Sequence, residues 1–182
     1  MKVLWLLNFL PAPLARALDL PVQASGSWVT ALYQAMAQQP VEIILCAHNF
    51  AVTRTERREI DDTVYWAFPT AEGASALKKV LDAEQPELVQ VFGTENDHPV
   101  WALETFDPEK VLIYIQGLAG PCGEHMADGL PERFLRRQPL KETVTARFGG
   151  ATVYQLRQRL LDQGEAEKKV FALARNVLGR TE

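Results

Sequence analysis

The residues best equipped for chemistry in this chain follow its apolar runs. Leu88-Val89-Gln90-Val91-Phe92 is succeeded by Gly93-Thr94-Glu95-Asn96-Asp97-His98-Pro99, which sets a carboxylate and an imidazole on one polar exit. Glu95 and His98 leaving the same strand end form a candidate catalytic pair with His98 as general base, although the same two residue types also serve as surface caps. Ser25-Gly26-Ser27-Trp28 heads a segment in which Val29, Leu32, Tyr33 and Met36 recur at helical spacing. A helix start with a glycine beside it turns free N–H groups and the positive end of the helix dipole towards an anion, so Gly26 and Ser27 are candidate phosphate contacts. Gly26 as a plain helix-start glycine is the alternative.

Other motifs are excluded by what they lack. The second and third glycines of a dinucleotide fingerprint are missing after Gly26, and no Gly-Lys-Ser or Gly-Lys-Thr phosphate loop occurs. Cys122, Glu124 and His125 give a lone C-x-x-H without a second pair, which falls short of a zinc site, so no metal is expected. Arg133, Arg136, Arg137, Lys141 and Arg147 read either as a solvated face or as a contact for an anionic membrane surface or acidic acceptor.

The elements that must position these residues are strands alternating with helices. Val3 to Leu7 is apolar without alternation, as a strand buried on both faces of a parallel sheet requires. A Pro-rich loop, long for a strand-to-helix connection, then leads to the first helix. Val41 to Ala47, Thr63 to Phe68, Leu88 to Phe92 and Val111 to Ile115 continue the strands, with Arg54 to Asp62 as a polar spacer. Leu77, Val80 and Leu81 mark a helix that Pro86 ends. Two later helices, divided at Gly164, precede a short last strand at Asn176 to Gly179, while Pro139 and Gly149-Gly150 break any long helix between Arg133 and Gly150. The expected fold is α/β, a Rossmann-like doubly wound sheet, mostly parallel and flanked by helices, in a single domain of 182 residues. Such sheets bind ligands outside the carboxyl ends of their strands. One edge should therefore gather Asn8, Gly26, His48, Gly93, Thr94, Glu95, His98, Gln116, Gly117, Arg180 and Glu182.

Composition narrows the setting. Apolar residues make up 47% and charged residues 23%, which argues against disorder, and a net charge of −4 disfavours nucleic acid as a partner. Cys46 sits in a core strand and Cys122 in a loop, with nothing to suggest a bridge, as in a cytoplasmic protein. The N-terminal apolar run is too short for a signal peptide, and no segment approaches membrane-spanning length.

Four stretches carry a resemblance to a known family. They are Lys2-Val3-Leu4-Trp5 with Gly26-Ser27-Trp28-Val29; Pro86-Glu87-Leu88-Val89-Gln90-Val91-Phe92-Gly93-Thr94-Glu95; Ile113-Tyr114-Ile115-Gln116-Gly117-Leu118; and Ala174-Arg175-Asn176-Val177-Leu178-Gly179-Arg180-Thr181-Glu182. In this order the chain resembles the N-terminal domain of the retaining glycosyltransferases of family four, whose two-Rossmann-domain architecture is called GT-B. The resemblance implies transfer of a sugar from a nucleotide-sugar donor to a hydroxyl acceptor, with retention and without a cofactor. It places Asn8, Gln116, Gly117 and Arg180 on the acceptor side and brings Gly26 and Ser27 towards the donor diphosphate. His98 or the Gln116-Gly117 turn would face the reacting sugar, where family members often carry His-Gly or His-Asp. The family's second domain supplies two glutamates separated by seven residues. Here that spacing falls at Glu87 with Glu95, across a strand, and at Glu124 with Glu132, around Gly129 and Pro131.

The chain is thus expected to be an acceptor-side domain, inactive alone, from which the nucleotide-sugar domain is absent. Its expected partners are that domain, the nucleotide sugar and a carbohydrate or lipid-linked acceptor, at a cytoplasmic location peripheral to the inner membrane face. The alternative is a standalone Rossmann-like module that binds a small ligand or regulates a partner through the same edge. A flavodoxin-like or response-regulator protein is weakened because no Asp directly follows the first or third strand.

Overall fold

In a computed structural model of the chain, which describes residues 1–23, 27–129 and 151–179, the first apolar run is strand β1 (Lys2–Leu7). It pairs in parallel with β2 (Glu42–Asn49) on one side and β5 (Leu88–Phe92) on the other, so both of its faces are covered. Leu4 and Leu6 belong to one core, with Leu77 and Val80 of α3 (Gly73–Glu84), Ala102 of α4 (His98–Thr105) and Val170 of α6 (Val153–Leu173). Val3, Trp5 and Leu7 belong to a second core, with Leu14 of α1 (Ala12–Ala17) and Val29 of α2 (Ser27–Met36). The alternation of side chains along one strand thus feeds two layers of helices, the arrangement of a doubly wound α/β fold.

Among the described residues the sheet has seven strands in the order β3-β4-β2-β1-β5-β6-β7. β4 (Thr63–Pro69), β6 (Val111–Tyr114) and β7 (Asn176–Leu178) are parallel to their inner neighbours. β3 (Glu56–Ile60) is antiparallel to β4. The parallel strands alone run third, second, first, fourth, fifth, sixth, the Rossmann order, which reverses between β1 and β5.

Three local expectations are corrected. The polar spacer contains β3, joined to β4 by Asp61 and Asp62 at φ 49° and 59°; two successive left-handed residues make a tight hairpin turn whose twist matches the sheet. Its charged residues suit an edge that must not recruit further strands. The Pro-rich loop holds α1, because proline is tolerated in a helix's first turn, where the missing N–H is not needed. Gly164 does not divide two helices but lies inside the 21-residue α6.

Gly164 has a different task. A Cβ on it would stand 2.5 Å from the Cα of Gly120 in α5 (Ala119–His125), and one on Gly123 would stand 2.9 Å from Cβ of Leu160. The two helix backbones touch, and only hydrogen fits between them. At the sheet's amino edge a buried carboxylate on Glu84 accepts from Lys2 Nζ at 2.8 Å, Trp66 Nε1 at 2.8 Å and Arg57 Nε at 3.1 Å. Burial alone would push this carboxyl up, but the three donors outweigh it and hold the group below its ordinary value.

The helix crossing makes a sign prediction. Alanine is favoured over glycine inside a helix by about 1 kcal/mol, whereas forcing a methyl against backbone costs on the order of 1–3 kcal/mol. With Gly120 only 2.5 Å away the steric effect wins, and Gly164→Ala should lower stability by about 2 kcal/mol in urea unfolding. Gly179→Ala, whose methyl would meet nothing within 4 Å, should change it by less than about 0.5 kcal/mol.

Candidate functional site

The reversal of strand order leaves a crevice between the exits of β1 and β5, and the first residues past those strands meet across it. Asn8 donates through Nδ2 to Oε1 of Glu95 at 2.6 Å, while the backbone N–H of Thr94 donates to Oε2 at 2.8 Å. Gly93 permits this fold-back. Its φ is +91°, and a Cβ there would stand 2.5 Å from Oε2 of Glu95. The Glu95 carboxylate is therefore fixed in place while staying partly exposed on the crevice lip.

A second carboxylate fixes the next exit. Glu167 of α6 is 3% exposed; its Oε1 accepts from the Thr94 hydroxyl at 2.8 Å and the Ala119 N–H at 2.9 Å, and its Oε2 from the Gly120 N–H at 3.0 Å. It satisfies the first donors of α5, which have no partner within that helix, and locks α6, α5 and the β5 exit together.

Glu95 borders two clefts. The first, about 290 Å³, is lined by His48, Thr70, Asn96, Asp97, Trp101 and Gln163 among others, and Asp162 of α6 joins Glu95 and Asp97 as its third carboxylate. The second, about 300 Å³, is bordered by Glu95, Gln116, Gly117, Cys122 and Gln163. Gln116 also reaches a third, about 440 Å³, with Trp28, Tyr114 and Ile115. The first and second share Glu95 and Gln163, and the second and third share Gln116, so the three adjoin in a row as a segmented trough along the carboxyl edge. Among the described residues that line it there is no lysine or arginine.

Of the residues singled out from the sequence, Asn8, Glu95, Gln116 and Gly117 lie together on this edge. Ser27 opens α2, while Gly26, Arg180, Glu182 and the cluster from Arg133 to Arg147 lie outside the described residues. Cys122 is on α5, not in a loop, and Cys46 is buried; both are free thiols. His98 is placed differently from the expectation. It opens α4 instead of sitting on a loop, is fully buried, and donates through Nε2 to the carbonyl of Phe92 at 2.9 Å, with no bond to Glu95. The His48 ring lies tilted at a centroid distance of 5.3 Å from it and shares a 3.0 Å hydrogen bond between Nδ1 and the Thr70 hydroxyl.

Sequence reasoning passed over Thr70, Trp101, Asp162, Gln163 and Glu167. A signal existed for one of them: Leu160, Gly164, Glu167 and Val170 fall on one helical stripe, where a lone carboxylate marks a cap for another element. The rest come from elements remote in sequence and carried none. No protein-family model matches the chain, and no curated protein matches it.

The histidine pair sets a pH dependence. Burial, helped by His48 and opposed by the Phe92 carbonyl, lowers His98 to about 3, and burial opposed by Asp97 lowers His48 to about 4. Both rings are neutral when folded and take up protons on unfolding below their ordinary value of 6.5, so the unfolded state gains protons as pH falls. Stability should be fully present above pH 6.5 and decline towards pH 4, each ring adding a slope approaching 1.4 kcal/mol per pH unit. Urea unfolding between pH 7 and pH 5, before most carboxylates titrate, should show this decline, and the double replacement His48→Gln with His98→Gln should flatten it.

Proposed function

We propose that the chain is the acceptor-side domain of a retaining glycosyltransferase of the two-Rossmann-domain kind, which holds an uncharged, hydroxyl-rich acceptor along its carboxyl edge and does not turn over alone. One observation carries the reading. The trough is lined by carboxylates and amides, by Thr70, and by the indoles of Trp28 and Trp101, with no cationic side chain among the described lining residues. Carboxylates and amides accept from and donate to hydroxyl groups, whereas a phosphorylated ligand would meet Glu95, Asp97 and Asp162 with like charge. The Rossmann strand order and the four resembling stretches support the same reading.

Glu95 is the group best placed to orient an attacking hydroxyl, because Asn8 and the Thr94 N–H hold its carboxylate while part of it faces the clefts. Gln116 and Gly117 bound the acceptor on the other side. His98 acts as a positioning residue, holding the last carbonyl of β5 from which the Glu95 loop departs. The nucleotide sugar enters from a second domain, its diphosphate directed to the start of α2 at Ser27.

Intact mass of the native polypeptide, or the reading frame beyond Glu182, should reveal a second α/β domain. That longer protein should transfer sugar from UDP-glucose, UDP-N-acetylglucosamine or GDP-mannose, while residues 1–182 alone release no nucleoside diphosphate from them. In it Glu95→Gln should lower kcat/KM by about a hundredfold with the unfolding midpoint kept. Turnover by residues 1–182 alone would overturn the half-enzyme assignment, and a native chain ending at Glu182 would favour a self-contained ligand-binding module using the same edge.

A further inference from the structure

The third cleft is built unlike the other two. Its described walls are Trp28, Tyr114, Ile115 and Gln116, with no ionisable group other than the tyrosine hydroxyl. Trp28 is 39% exposed although it stands in the first turn of a helix whose next residue, Val29, is buried. The indole is not loose. Its ring lies 5.4 Å from Phe92 and 6.2 Å from Tyr114, and Phe92 in turn packs at 5.2 Å against Trp5 and 5.6 Å against Tyr114. Phe92 is fully buried at the end of β5, so this cluster of tilted and edge-on rings is founded on the sheet and rises to the surface at Trp28.

An aromatic face anchored in this way is organised before any ligand arrives, and little side-chain entropy remains to be lost on binding. The partly exposed indole leaves apolar surface for a ring that offers one apolar face and a polar rim. Gln116, exposed at the β6 exit, brings an amide that can both donate and accept to that rim. A phosphorylated ring would instead call for cations, which the described walls do not bring.

We infer that Trp28, Tyr114 and Gln116 form a stacking subsite for an uncharged pyranose ring, at the end of the trough opposite His48. The subsite stands on its own geometry and does not require that the chain belong to a transferase. Because Gln116 also lines the middle cleft, a sugar seated on Trp28 extends its neighbouring unit towards Glu95, so the trough takes a glycan of more than one unit.

The test is a binding titration of the full 182-residue chain, followed by the NMR resonance of the Trp28 indole N–H, assigned by its absence in Trp28→Phe. The probes are methyl glucopyranoside, methyl mannopyranoside, N-acetylglucosamine and the β1,4-linked disaccharide of glucose, with uridine monophosphate as the anionic, base-bearing control. At least one sugar should shift the Trp28 resonance with a dissociation constant in the millimolar range, and a disaccharide should bind more tightly than its monomer. Followed instead by the Gln116 side-chain amide resonances, which both variants keep, Trp28→Ala should weaken that binding by about tenfold, and the fold-preserving Trp28→Phe by about threefold. Gln116→Ala, on an exposed side chain, should weaken it by several fold without moving the unfolding midpoint. No shift with any sugar, an unchanged affinity in both Trp28→Phe and Gln116→Ala, or preference for uridine monophosphate would overturn the inference.

Discussion

β1 has a neighbour on each side and a helical layer on each face, and this double coverage constrains everything else. A strand so placed must be apolar at every inner position, as Val3 to Leu7 are, and cannot present chemistry along its length. Its only functional outlet is its end. The chain leaves β1 for the layer of α1 and α2 and leaves β5 for the layer of α4, so the two exits diverge and a crevice opens where they part. Polar groups lining such a crevice are partly removed from water and must find partners. The bond from Asn8 to Glu95 supplies one and leaves the carboxylate fixed at the opening.

The remaining precision comes from contacts between distant segments. Thr94 hands its N–H to Glu95 and its hydroxyl to Glu167, so one residue ties the crevice carboxylate to the capping carboxylate. Glu167 reaches α5 because Gly120, Gly123 and Gly164 let the two helix backbones come into contact. The two helices that carry Cys122 and Gln163 into the middle cleft are therefore brought together by the absence of side chains at three positions and tied by one buried carboxylate. Breaking a buried charge's hydrogen bonds costs on the order of 3–5 kcal/mol, a large part of a domain's net stability. These contacts thus act at once on the fold and on the shape of the site.

How much of this the sequence disclosed depended on whether the signal was local. The unbroken apolar run of β1, the helical spacing in α2 and α3, and the polar exits after β5 and β6 are local, and the doubly wound sheet followed from them. β3 escaped notice because an edge strand that reads Glu-Arg-Arg-Glu-Ile is charged for the reason that it is an edge, and Asp61-Asp62 is an uncommon hairpin pair. Gly164 was read through its propensity, which favours a break, when tertiary contact with Gly120 decides. His98 looked like an exposed loop residue among polar letters. Pro99 beside it was the overlooked sign of a helix start, and no local feature could reveal burial against His48, which comes from β2.

Charge separates the two ends of the proposed reaction. Glu95, Asp97 and Asp162 make the first cleft hostile to a diphosphate, and the described lining residues of the other clefts bring no cation to offset them. On the proposed reading the anionic donor is then kept from the first cleft and drawn to the start of α2, beside Trp28, and to the domain that covers the edge. The acceptor needs only hydroxyl partners and a flat apolar face, which Glu95, Gln116 and Trp28 provide in sequence along one trough. On that reading such a division would keep a nucleotide diphosphate out of the first cleft. A domain built in this way would select its ligand as much by repelling phosphate as by attracting sugar.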